Sequence, residues 1–430
     1  MARIKLAYIG GGSTRAPGTM ASFIHRGEHF AGSEVALYDL NAERLDLVQR
    51  IAEKSANASG VDLRITATSD RAAALDGCDA VLTSFRPGGF EARHLDESIP
   101  LRHGIIGQET QGPGGFFMAL RTVHVMHGIV DDMERICPDA YLFNYTNPVN
   151  IVSEAVTHGS NVRVVSLCEG PIIFPRGLAR DLGLDEELVE GHMVGLNHGC
   201  WSYDATYDGR DFIEVIAERL QEGPEPPRSV QRLAQLAVTM GAVPAEYFKY
   251  YYFEDEVLAE LQAKPTTRAE DILSWAPAYW QHYTEQLTSD DPQLDPARSR
   301  GGLHELELAI DVMDAVFNSK DEVHPVNVPN TGGVLPGLPE DLVVEVYGRT
   351  VDGWIEPQPA PPLPRHVLGL LEALGEYEYL AAEAAWAGDR RDAVRALAAN
   401  PLVRTLPRAE KLYGALAAAH RAHLPERLAA

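Results

Sequence analysis

The chain opens with a short apolar run, Ile4 to Ile9, that stops at Gly10-Gly11-Gly12-Ser13 and leaves room for a helix before the next apolar run. That order predicts a buried strand, a tight turn and a helix. Val35 to Asp39 repeats the strand signal, and Ala42 to Asn57 has helical apolar spacing in good helix formers. Further buried strands are predicted at Leu63 to Ala67, Ala80 to Phe85, Tyr141 to Tyr145 and Val162 to Leu167, with helical patterns between several of them. Strands alternating with helices imply an α/β fold with a doubly wound, Rossmann-like parallel sheet.

After about residue 200 the pattern changes. Helical stretches are predicted over Ser229 to Leu261 and Leu303 to Phe317, and a strand over Leu342 to Tyr347. Pro357 to Pro364 reads as a surface connection, and the remainder of the chain as Ala-rich helix. The expected organisation is a nucleotide-binding domain over 1–195 and a largely helical α+β domain over 196–430, serving substrate, metal and oligomer contacts.

Composition narrows the partners. With 62 acidic and 37 basic side chains the net charge is −25, which excludes a broad cationic surface for nucleic acid or an anionic membrane. A local basic pocket for a small anion stays open. No apolar run approaches the roughly 18 to 20 residues that span a bilayer, and the opening run leads into glycines and not into a signal cleavage site. The expected location is cytoplasmic. Cys78, Cys137, Cys168 and Cys200 are too few and too spread for a disulfide framework.

Candidate chemistry starts at the glycine turn. Gly10 and Gly12 let backbone N–H groups approach a pyrophosphate at the start of the next helix, Ser13 adds a hydroxyl, and Asp39 ends the second strand where a carboxylate accepts ribose hydroxyls of NAD. The third glycine of that fingerprint is replaced by Arg15, and a plain tight turn is the competing reading. Residues 85–121 concentrate charges and glycines where scaffold helix is expected, as an anion or sugar site or a solvated loop would. Asn147 and Asn150 follow a buried strand, at the end where open α/β sheets bind ligands. Cys168 ends another strand, thirty residues before His198. One thiolate and one imidazole suit an open metal site completed by substrate and water, or are unrelated, and Cys200 is a buried thiol or a further ligand.

In chain order, Gly10 to Ser13, Arg86 to Arg93 with Asp96-Glu97, Ile106 to Thr110, Thr146-Asn147-Pro148, Cys168, Gly195 to His198, Tyr247 and Arg300-Gly301-Gly302 together resemble glycoside hydrolase family 4, over residues 4 to about 345. The resemblance implies a lactate/malate dehydrogenase-like fold, NAD+ as a catalytic cofactor, and a divalent ion, commonly Mn2+, held by Cys168 and His198. It implies a glycosidase that oxidises the sugar at C3, removes the C2 proton with Tyr247, eliminates the aglycone, adds water and returns the hydride. It places Asn147 at cofactor and substrate and Asn197 at the substrate. Ser13, Arg93 and Arg300 fall near a C6 phosphate, as in 6-phospho-β-glucosidases, and Glu169 stands where relatives vary, as an acid for the departing oxygen or a hydroxyl ligand. A homodimer or homotetramer is expected. The competing readings are an unphosphorylated hexoside or uronide as substrate, a 2-hydroxy acid dehydrogenase, and a nucleotide-binding protein without turnover.

Overall fold

A computed structural model of the chain describes residues 1–300 and 307–429. Six parallel strands are β1 (Lys5–Ile9), β2 (Ser33–Tyr38), β3 (Leu63–Thr68), β4 (Ala80–Thr83), β5 (Tyr141–Asn144) and β6 (Arg163–Ser166). They stand in the order β3-β2-β1-β4-β5-β6, the doubly wound order with its crevice beyond the carboxyl ends of β1 and β4. Alternate residues of β1 feed different cores: Leu6 and Tyr8 pack on one face, Ala7 and Ile9 on the other. That alternation lets helices cover both faces, which is why the central strands β1, β4 and β5 read as continuous apolar runs.

The sheet does not stop at β6. Val323–Pro329 pairs antiparallel with β6 at Asn327 and Ser166, and carries the sheet on through Val343–Val351, Val194–Leu196, Gly199–Ser202 and Val243–Pro244. Residue 195, where the division is expected, lies inside one of these strands, and the sheet is continuous across the two halves. The C-terminal helices Arg365–Trp386 and Leu406–Ala419 return to the first half, where Tyr377, Leu412 and Tyr413 join the core of Ala7, Ile9 and Phe117.

Two predicted elements come out differently. The helix expected over Ser229 to Leu261 is broken into Arg228–Met240, a strand, a turn of 3-10 helix at Glu246–Phe248, and two shorter helices. Gly241, at φ +65°, ends the first helix, and Val243–Pro244 then pairs with Trp201 and Ser202. The charged segment 85–121 is largely two helices, Gly89–Arg102 and the start of Gly112–Ile136, joined by an irregular stretch over 103–111 that holds Gln108, Glu109 and Thr110. Residues 303–306 of the second predicted long helix, and Gly301 and Gly302 of the motif, lie outside the described residues.

Candidate active site

At the carboxyl end of β1 the backbone turns sharply at Gly10, whose φ is +101° and where a Cβ would sit 2.1 Å from the Ser84 carbonyl oxygen. A side chain does not fit there. The next helix, Ala16–His25, has no side-chain cap among the described residues; the Ala16 N–H donates to the Ser13 carbonyl at 3.1 Å and Pro17 has none to give, so what this end offers an anion is chiefly the positive end of the helix dipole. Asp39 takes the Gly12 and Asn41 N–H groups, both at 3.0 Å, one on each carboxylate oxygen. Each oxygen keeps a lone pair for a hydroxyl. Asn147, beyond the end of β5, has a buried Oδ1 without a hydrogen-bond partner among the described residues. An uncapped helix start, an acidic strand end and an orphaned amide oxygen fit a dinucleotide.

A second feature crosses this crevice. The helix Arg268–Gln286 opens on a capping box between Thr267 and Glu270. Its first turn is tied to Gly89–Arg102, because the Ala269 N–H donates to Glu97 Oε2 at 2.9 Å. Near its far end the Tyr283 hydroxyl donates to the Thr14 carbonyl at 2.8 Å and accepts the Arg300 N–H at 3.2 Å. Between these ties lies a cleft of about 440 Å³. Arg15, Arg93, Arg268 and Arg300 line it with the carboxylates Glu109 and Glu246, and Tyr247 and Trp275 contribute aromatic wall. Burial alone would push the Glu109 carboxyl up, but Arg86 at 2.6 Å and Arg93 at 2.8 Å, with Arg15 and Arg300 beyond, hold it at about 2.

The third feature is where the two sheet halves meet. Cys168 follows β6, and His198 sits in the turn between Val194–Leu196 and Gly199–Ser202. Their side chains stand 3.6 Å apart, Sγ to Nε2. His198 holds φ +61°, a left-handed conformation that costs a non-glycine residue about 1–3 kcal/mol and is found at functional sites. Burial lowers the His198 pKa to about 4, so near neutrality the ring is the uncharged form that binds metal. Burial and Glu345 push the Cys168 thiol to about 12, against hydrogen bonds from Asn197 and the Gly170 N–H. Tyr247 lies flat on the His198 ring, centroids 3.9 Å apart and planes within 5°. Burial, then Glu109, raises its pKa well above that of an ordinary phenol. Among the described residues no cluster of three or more His, Cys, Asp or Glu could hold a metal. A cation between Cys168 and His198 therefore needs ligands from substrate or water, as open sites do, and 3.6 Å suits bonds of about 2.0 to 2.3 Å.

The profile of Family 4 glycosyl hydrolase matches residues 5–184, and that of the Family 4 glycosyl hydrolase C-terminal domain matches residues 193–403. The chain is 35% identical to the probable 6-phospho-beta-glucosidase of Bacillus subtilis (strain 168), over 98% of each protein. The chain belongs to glycosyl hydrolase family 4. It is also 32% identical to the 6-phospho-beta-glucosidase of Escherichia coli (strain K12), over 98% of this chain and 96% of that one. Among solved structures it is similar to the 6-phospho-beta glucosidase from Thermotoga maritima with NAD and glucose-6-phosphate, at TM-score 0.84 and 25% identity, over 98% of this chain and 99% of that chain. The resemblance carried by the motifs and the expected fold class both hold.

In this family 4 glycosidase the fold brings Arg93, Arg300 and Tyr247 to one cleft, and Cys168 and His198 to one another. Gly10, Gly12, Ser13 and Asp39 share the turn beyond β1 and β2. Asn197 stands beside the Cys168 and His198 pair, hydrogen-bonded to Cys168, with its Nδ2 donating to the buried Glu345 at 3.2 Å. Glu169 stands at the N-terminal boundary of Gly170–Asp181 and is not among the residues that line the arginine cleft. Cys200 is fully buried, and all four cysteines are free thiols. The sequence reading missed Arg268 and Trp275, which carry no motif, although the Thr267–Glu270 capping box was a legible signal for the helix that presents them. Among the described residues no helix is long and apolar enough to cross a membrane.

Proposed function

We propose that this family 4 glycosidase hydrolyses a β-linked 6-phosphoglucoside with NAD+ and a divalent ion, Mn2+ in the first instance. One observation carries the phosphate: in a protein of net charge −25, four arginines and two carboxylates line the cleft that holds Tyr247. Guanidinium forks match phosphate oxygens two at a time, and a dianion balances the excess charge. The β-linkage is supported by the activity named for the relatives at 35% and 32% identity.

The chain's own residues divide the work. The turn at Gly10 to Ser13 and Asp39 hold the dinucleotide, with Asn147 reaching cofactor and substrate, and Cys168 and His198 hold the ion. When bound, NAD+ supplies a hydride acceptor for C3 and the ion a Lewis acid that acidifies the proton at C2. Arg93 and Arg300 fix the 6-phosphate and so place the sugar ring against Tyr247. The stacked His198 ring fixes Tyr247 in turn, and its phenol oxygen takes the C2 proton. Burial alone keeps that phenol protonated, so a neighbouring positive charge has to lower its pKa before it acts as a base.

The test is a panel of p-nitrophenyl α- and β-glucosides, with and without a 6-phosphate, assayed with NAD+, Mn2+ and a thiol reductant. Nitrophenol release is expected from the 6-phosphorylated β-glucoside, with no net NADH. Activity that survives removal of both NAD+ and metal, or a preference for the unphosphorylated sugar, overturns the reading.

A further inference from the structure

We infer that Gln108 and Thr110 are positioning residues that set the tautomer of His198, keeping its Nε2 free for a cation beside Cys168. The inference rests on the metal role proposed for that pair. Two backbone N–H groups, of Thr110 and Gln111, point at one side-chain atom of Gln108, at 2.6 and 2.8 Å. A backbone N–H can only donate, so that atom is the amide oxygen. The Thr110 hydroxyl lies 2.9 Å from the same oxygen and 3.1 Å from His198 Nδ1. It has one proton to give.

Pointed at Nδ1, that proton would leave two acceptor oxygens facing each other at 2.9 Å. Pointed at Gln108, it leaves Thr110 Oγ1 to accept from Nδ1–H. The imidazole proton therefore sits on Nδ1, and the lone pair on Nε2 faces Cys168 Sγ. Thr110 and His198 are 7% and 8% exposed, so bulk water does not replace a lost partner. The clamp is built tightly: a Cβ on Gly115 would sit 2.2 Å from the Thr110 carbonyl carbon. A metal-binding histidine needs its second nitrogen held in this way, and removing such a partner weakens metal affinity by about 10- to 100-fold.

Full-length, metal-free protein labelled with 15N at histidine tests this through long-range 1H–15N correlations, with the His198 signals assigned by their loss in His198→Gln. The proton is expected on Nδ1 in the wild type and on Nε2 in Thr110→Val. In Gln108→Leu the freed Thr110 hydroxyl donates to Nδ1, and the proton again moves to Nε2. Mn2+ titration followed by electron paramagnetic resonance should show affinity reduced about 10- to 100-fold in Thr110→Val and restored in Thr110→Ser. A wild-type proton on Nε2, or Thr110→Val binding Mn2+ as tightly as wild type, overturns the inference. A wild type that binds no Mn2+ refutes the metal role of Cys168 and His198, while its spectrum still decides the tautomer whether or not the variants fold.

Discussion

The helix Gly89–Arg102 carries buried charge toward two regions, and the two are built on opposite principles. On one side Asp96, fully buried, takes both ends of Arg121 at 2.8 and 2.6 Å and meets His420 Nε2 at 2.9 Å. The carboxylate there is matched by its partners, and Arg121 also donates to the Pro87 carbonyl. On the other side Arg93 shares Glu109 with Arg86, in a cleft where Arg15, Arg268 and Arg300 add further positive charge. Both regions would be flagged by a search for buried ionisable groups. The balance separates them: a closed network holds the fold, whereas an excess of one sign in a cleft attracts a ligand.

Arg121→Ala should break the closed side outright. It leaves Asp96 buried without its main partner, so a loss of about 3–5 kcal/mol is expected in denaturant unfolding. A loss below about 1 kcal/mol, the range of exposed pairs, would mean the network is not what seats this helix. Tyr247→Phe sharpens the open side. Turnover should fall by about 10²- to 10⁴-fold, the usual worth of a general base, with the thermal midpoint and NAD+ affinity unchanged. Unaltered kcat would move the base elsewhere.

Arg300→Ala should lower kcat/KM for the 6-phosphorylated substrate about 10- to 100-fold, as expected for charge-assisted hydrogen bonds, and leave unphosphorylated glucosides unaffected. Equal losses on both substrates, or unfolding like that of Arg121→Ala, would erase the contrast between the regions. The smallest effect concerns Glu378, whose carboxyl is raised from 4.5 to about 8 by burial, against a hydrogen bond from Asn150. Between those values the folded protein holds a proton that the unfolded chain has lost, so stability falls as pH rises. Glu378→Gln should flatten the change in melting temperature between pH 6 and 9, and an unchanged slope would assign it to other groups.

The central parallel strands β1, β4 and β5 were legible because burial on both faces leaves apolar runs with no alternation to misread. Val323–Pro329 was not, since His324, Pro325, Asn327 and Pro329 interrupt the apolar signal of the strand that joins the halves. The helix Gly89–Arg102 was hidden by its starting glycines, by Pro100 and by charges that point into the protein. Cys168 and His198 could be read as a candidate pair, but only the turn that places His198 at φ +61° brings them together. Arg268 had no such signal. A single arginine at the start of a helix acquires meaning from what that helix crosses.

The contact between Asp96 and His420 also sets an order in time. His420 reaches back across more than three hundred residues to seat the helix that carries Arg93. A growing chain can pair β1 to β6 before that residue is made, but the face that carries Ala7 and Ile9 stays incomplete until Tyr377, Leu412 and Tyr413 emerge. The parallel strands can thus form early, whereas the core that backs them and the seat of the helix carrying Arg93 are completed only by the segment that holds His420.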